Sequence, residues 1–182
     1  MSESRESVEW EGYEPFDPGV RGPLREQSRR DAWAAYDRLM AARSTRREQL
    51  GNLLTRNSVA LDDTDAGICR VNDWFRANVE PDIVDPRRLG PLWYAVVNDV
   101  ALFLGDVLVT RNDHLAWEFY TRGRTDVSYQ CHVVSGFRRV ANPKYHVDVD
   151  GLVASYAHRV VAGKDVRDDQ FVAWLDAAAE KA

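Results

Sequence analysis

The sequence predicts an α+β domain, mainly helical, with about five helices packed on a small antiparallel sheet. Three observations predict it. Leu92, Val96, Val100, Phe103, Leu104, Val107 and Leu108 form a broad apolar stripe at helical spacing near the middle of the chain. Leu115, Trp117 and Phe119 then alternate with Ala116, Glu118 and Tyr120, the period of a half-buried strand. Shorter segments with helical spacing stand on both sides of this block.

Residues 1–24 read as an irregular arm. Glu3, Glu6, Glu9, Glu11 and Glu14 are interspersed with Pro15, Pro18, Pro23 and three glycines. Trp10, Tyr13 and Phe16 set it apart from a purely solvating tail, so it is expected to clamp onto the domain or onto a partner. Residues 25–182 are then one domain, made of a basic helical segment at 25–57 and a core at 58–182. The first helix starts near Leu24 or Arg25 and carries Trp33, Tyr36, Leu39 and Met40 at helical spacing. Thr45 and Glu48 have the spacing of a capping box. Two readings are therefore open: a break near Ser44 with a restart through Leu50, Leu53 and Leu54, or one long helix. Residues 21–56 hold nine arginines against four acids. That basic face reads as solvated, its stems covering apolar surface.

A second helix follows Asp62-Asp63-Thr64-Asp65, any of which can cap it, and buries Ile68, Val71, Trp74 and Phe75. Pro81 ends it, and two prolines fix the loop 80–90. Pro91 opens the third helix at a first-turn position, where its missing N–H is harmless. Gly105 lowers helix stability by about 1 kcal/mol against Ala, which points to a close crossing. A hairpin over 115–134 comes next, with a Gly-containing turn at 122–126. Its second strand places Val127, Tyr129, Cys131 and Val133 on one face and Ser128, Gln130, His132 and Val134 on the other. A third strand is expected at 145–149. A fourth helix follows Asp150, and a last one spans 167–180.

Composition limits function. The hydrophobic fraction is 45% and the formal charge −5. Such a surface repels phosphate backbones, so nucleic-acid binding is disfavoured. Cys69 and Cys131 lie far apart, and no secretory n-region or apolar h-region opens the chain, which together predict a cytoplasmic protein with reduced thiols. Asn98, Asp99 and Asp106 interrupt the apolar run at 92–109, which therefore reads as a core helix rather than a membrane span.

The stretch LDDTDAGICRVNDWF at 61–75 is similar to the LDYSxESLxxLDxW opening of small bacterial α+β domains of unknown function. ALFLGDVLVTRNDHLAW at 101–117 resembles their later LGxYLGExL…W element, with Gly105-Asp106 in place of Gly-Glu. Some of those domains sit beside polymorphic toxins and are regarded as immunity proteins. The resemblance, over roughly residues 58–160, implies a helix–helix–hairpin–helix fold and a protein partner. It supplies no catalytic residues.

Four constellations bear on chemistry. His146, Asp148 and Asp150 would share one side of an extended segment and could hold a divalent ion for a small metal-dependent hydrolase. The structural reading is that Asp148 or Asp150 caps the fourth helix. Cys131 with His132 or His158 has the elements of a nucleophile and base, but Cys131 falls on an apolar face. Asp99 and Asp106 share a helix face two turns apart, long for direct acid–base coupling, so either that face touches water or Asp106 meets an arginine such as Arg122 or Arg139. Arg122, Arg124, Arg138 and Arg139, with Tyr120 and Tyr129, could gather at one end of the hairpin and bind a phosphate or an RNA base, although the surrounding acidity argues against it.

No catalytic set and no cofactor is expected. The favoured reading is a non-catalytic interaction module, of immunity or accessory type, which occludes a protein partner with the hairpin's outer face. Its partner-binding residues are expected to be Glu118, Tyr120, Arg122, Arg124 and His132, all facing outward. A further reading is a structural subunit connected to a larger assembly through the arm.

Overall fold

The structure, a computed structural model, describes residues 7–182. Glu3 and Glu6 of the expected arm lie outside the described residues. Five helices and a two-stranded antiparallel sheet make up the domain: α1 (Arg29–Arg56), α2 (Asp65–Asn78), α3 (Pro91–Arg111), β1 (Ala116–Phe119), β2 (His132–Ser135), α4 (Val149–Val161) and α5 (Gln170–Ala179). The predicted α+β class, mainly helical, is the observed one.

α3 is the axis of the domain. It packs on α4 most extensively and also on α1, α5 and β1. Pro91 occupies its first turn, as the sequence predicts. Its length and apolarity suit a membrane span, yet 67% of its most apolar 18-residue window is buried inside the domain.

α1 is one continuous helix, preceded by a short 3-10 turn at Leu24–Glu26. The break near Ser44 does not form. A true cap needs an extended Ncap residue, and Ser28 supplies it instead, its side chain accepting from the Asp31 backbone N–H at 3.1 Å. Thr45 and Glu48 stay exposed within the helix. α2 starts from Thr64, whose hydroxyl accepts from the Gly67 N–H, and α4 from Asp148, which accepts from the Gly151 N–H. α5 has no cap of its own. Buried Asn72 of α2 accepts from the Phe171 N–H at 3.2 Å and donates to the Asp168 carbonyl at 2.7 Å, tying α5 to α2.

The arm is a strap laid antiparallel along α1. The Glu9 N–H meets the side chain of Asn57, the Glu14 N–H meets Gln49, and Gly19 lies against Arg38. Trp10 packs edge-on against Trp93 with centroids 5.3 Å apart. Tyr13 is buried, and its hydroxyl donates to Asp99 Oδ2 at 2.6 Å. Arg46 of α1 grips the same carboxylate with two bonds, Nε to Oδ1 at 2.8 Å and Nη2 to Oδ2 at 2.6 Å. Its Nη1 reaches the Glu14 carbonyl at 2.7 Å. One buried cluster thus joins strap, α1 and α3.

A second cluster joins α1, α3 and β1. Asp106 Oδ1 accepts from Arg43 Nη1 and from Trp117 Nε1, both at 2.8 Å. The expected partners Arg122 and Arg139 are elsewhere, because Asp99 and Asp106 both face α1 and each takes an arginine from it.

The sheet departs from the predicted hairpin. Residues 126–131 form successive turns, and Gln130 has φ +64°. The strand begins only at His132, which pairs with Phe119 and shares its inward face. The predicted phase, counted from Val127, is therefore reset. Val127 is exposed, while all four residues of β2 are buried. The third strand reduces to one bridge, Val134 to Val147, with two bonds of 2.9 Å.

Gly105 marks the tightest crossing. A Cβ there would stand 2.1 Å from Cζ2 of Trp117, whose ring is held by Asp106. Ala gains about 1 kcal/mol in helix propensity but forces overpacking worth about 1–3 kcal/mol. Because the ring that must give way is held in place, the overpacking falls in the upper part of that range, and Gly105→Ala is expected to lower stability in urea denaturation by about 1–2 kcal/mol net. An unchanged or higher midpoint would contradict this crossing.

Candidate functional site

The structure separates the five predicted partner-binding residues. Arg122 and Arg124 are exposed. Glu118 is half-buried and pairs with Arg122, whose Nε stands 3.1 Å from Glu118 Oε1. Burial opposes the Glu118 charge, but hydrogen bonds from Ser135 and Arg122 outweigh it and hold the carboxyl below its usual value.

Tyr120 and His132 correct the expectation, since both are buried. Tyr120 has the predicted parity, opposite Phe119, but the segment leading into α4 covers that face. Its ring lies 3.9 Å from that of His146, and its hydroxyl reaches Asp126 at 3.4 Å. His132 points the other way, toward Trp117. The hairpin's outer face is therefore no continuous contact surface.

His146, Asp148 and Asp150 do not converge. His146 Nδ1 lies 3.0 Å from the Lys144 carbonyl. Asp148 caps α4 and accepts from Ser128 Oγ at 3.0 Å. The Asp150 carboxyl is pushed up by burial, with the charge of His132 opposing and that of Asp148 adding. Among the described residues no group of three His, Cys, Asp or Glu stands ready to hold a metal ion.

Cys131 forms no dyad. Burial pushes its thiol up to about 12, the reverse of an activated nucleophile. His158 lies on α4 against Tyr94. The arginine cluster forms only in part. Arg122 and Tyr120 line a polar cleft of about 340 Å³ with Lys144 and His146. Arg139 instead bonds through its backbone to Lys181.

Two features outside the predicted set emerge. The first is the loop between α2 and α3. Pro81 and Leu89 bridge at its base, and the Asp82 N–H donates to the Arg88 carbonyl at 2.8 Å. Asp82 Oδ1 accepts from the Val84 and Asp85 N–H groups, both at 2.9 Å. The tip so fixed presents Ile83, 97% exposed, and Val84, 87% exposed. The sequence signal was present: two β-branched residues enclosed by acids and prolines.

The second is a cleft of about 360 Å³ under the strap, lined by Phe16, Val20, Tyr36, Leu39, Ala95, Asn98 and His132 among others. His132 is only 7% exposed, and neither ring nitrogen has a hydrogen-bond partner. Imidazole always carries at least one N–H. An unpaired buried donor costs about 1–3 kcal/mol.

The class these features define is an α+β domain of five helices and a two-stranded sheet, with a rigid apolar loop and a mainly apolar cleft. Comparison of the chain with family models, with curated proteins and with solved structures finds no match in any of the three.

The burial of Tyr120 has a measurable consequence. Tyr120→Ala is expected to lower stability by about 3 kcal/mol, in the range of large aromatic truncations in cores. Arg124→Ala, on the exposed turn, is expected to stay within about 0.5 kcal/mol of wild type. Thermal denaturation checks both. A Tyr120→Ala melting curve matching wild type would restore the outward orientation.

Proposed function

We propose that this chain is a non-catalytic, cytoplasmic protein-interaction module, and that the loop between α2 and α3 is its contact knob. One observation carries the reading: Ile83 and Val84 stand almost fully in water on a loop whose backbone is already fixed. Burying each side chain in a partner is worth about 1.5–3 kcal/mol. A preformed loop loses little conformational freedom on docking, so more of that gain appears as affinity.

The loop also describes its partner. Arg87 and Arg88 are exposed beside the two apolar side chains. Arg87 is paired within the loop to Asp85. A fitting partner has a small apolar pocket rimmed by carboxylates. Binding of this kind acts by covering a partner's surface. The resemblance of 61–75 and 101–117 to immunity-like domains supports a setting beside a bacterial toxin or defence system. Nothing in the geometry favours a metal-dependent hydrolase. Trp10 and Tyr13 pack on the chain's own domain, and Phe16 lines its own cleft, which leaves the connector reading without its anchors.

The test compares wild type with the double variant Ile83→Ser/Val84→Ser by affinity capture from the native host. A specific partner held by wild type is expected to be lost from the variant at unchanged melting temperature. Equal capture by both proteins would remove the loop from the interface.

A further inference from the structure

The exposed loop and the cleft under the strap match one another. We propose that the partner of the knob is a second copy of this chain, with Ile83 and Val84 of each protomer seated in the strap cleft of the other about a two-fold axis. The inference rests on the reading of the loop as a contact knob and names what the knob enters.

Shape is the first match. The cleft holds about 360 Å³, the room of about a dozen waters, and the side-chain carbons of one isoleucine and one valine fit within it. Phe16, Val20, Leu39 and Ala95 give it apolar walls, and Tyr94, 39% exposed, lines it as well. Ile83 is 97% exposed and Val84 87%, so the knob does not fill the cleft of its own chain. Seating one copy's knob in another's cleft takes both apolar surfaces out of water.

Placement suits a closed pair. An isologous contact uses the same patch on both protomers, so knob and cleft must lie side by side. They do. The loop runs directly into α3, and Pro91, Tyr94 and Ala95 of its first turns line the cleft. The Tyr94 hydroxyl accepts from the Leu89 N–H at 3.3 Å, which ties the base of the knob to the wall of the cleft. Both parts are also built before they meet. Asp82 fixes the tip of the knob. Tyr13, bonded to Asp99, fixes one end of the strap. Gln130 Nε2 fixes the other by donating to the Leu24 and Gln27 carbonyls at 2.8 and 3.1 Å. Docking therefore costs little ordering.

Charge is the third match. Glu14 and Asp17 are exposed on either side of Pro15 and Phe16, which line the cleft. They are the rim carboxylates that the knob calls for, and Arg88 is exposed beside its tip. Glu80 is exposed at the base of the loop, while Arg21 is exposed on the strap and Arg38 lies against Gly19. None of these makes an ion pair among the described residues. Knob and rim thus each carry both signs, as a surface that meets its own copy requires.

The test is sedimentation equilibrium of the full chain from micromolar to submillimolar concentration, with thermal melting to confirm folding. Wild type is expected to form a concentration-dependent dimer. Ile83→Ser/Val84→Ser is expected to weaken it about a hundredfold or more. Ala95→Leu, which fills the cleft, is expected to do the same, and Val20→Asp replaces it if Ala95→Leu melts low. The decisive sample mixes the knob variant with the cleft variant. The intact knob of one then meets the intact cleft of the other, so the mixture is expected to dimerise again, more weakly than wild type. A dimer unchanged by either variant, a mixture that stays monomeric, or growth past the dimer would overturn the proposal. A wild type that stays monomeric overturns this inference alone. A foreign partner captured by wild type and lost from the double variant would still support the knob.

Discussion

The buried pairing of Arg46 with Asp99 is the constraint on which the rest of this structure depends. Two charges are taken almost entirely out of water, which is expensive unless each is met by well-placed partners. Here each is met. Asp99 accepts two bonds from the guanidinium and one from Tyr13, and Arg46 uses its remaining Nη1 on the Glu14 carbonyl. Burial works against the Arg46 charge, but Asp99 outweighs it and holds the guanidinium protonated. Burial and the Asp99 carboxylate together raise the Tyr13 phenol, which remains a donor. An apolar replacement could hold the same elements together. It would not fix their register, since bidentate geometry allows one placement of the strap and of α1 against α3.

From that register follow the two features that bear on function. The strap lies where it roofs a cleft, because Tyr13 and Glu14 are pinned immediately before Pro15 and Phe16. α1 is brought to the side of α3 that carries Asp106, and Arg43 and Trp117 then complete the second cluster. The loop of Ile83 and Val84 closes on a separate scaffold, the start of α3, where the Tyr94 hydroxyl accepts from the Leu89 N–H at 3.3 Å. Rigid helices thus hold both the knob and the cleft.

The helices were legible in the sequence because their signals are local. Pro91, Thr64 and Asp148 act within one turn of themselves, and the apolar stripe of α3 needs only a period. What was not legible depended on distant segments. The alternation counted from Val127 gives the wrong inward face for β2, because the turns before it, ending at Gln130, restart the pattern at His132. Tyr120 has the parity the pattern implied, yet a segment more than twenty residues away covers it. The capping box at Thr45 was outweighed by continuous packing of α1 along α3. One signal could have been read: Arg46 falls midway between Leu39 and Leu53, on the buried stripe rather than the solvated face. A charge on an apolar stripe implies a buried partner, and Asp99 on the stripe of α3 is its counterpart. The exposed loop was visible as residues, but its exposure depended on the Asp82 hydrogen bonds.

The central claim is tested most directly by a double-mutant cycle in urea denaturation, with Arg46→Met, Asp99→Leu and the two combined. The account predicts that each single change costs about 3–5 kcal/mol, since each strands a buried charge or its donors. The combined change then costs far less than the sum of the two. Single changes within about 0.5 kcal/mol of wild type, or losses that simply add, would show that the pair does not hold the strap and the two helices in register.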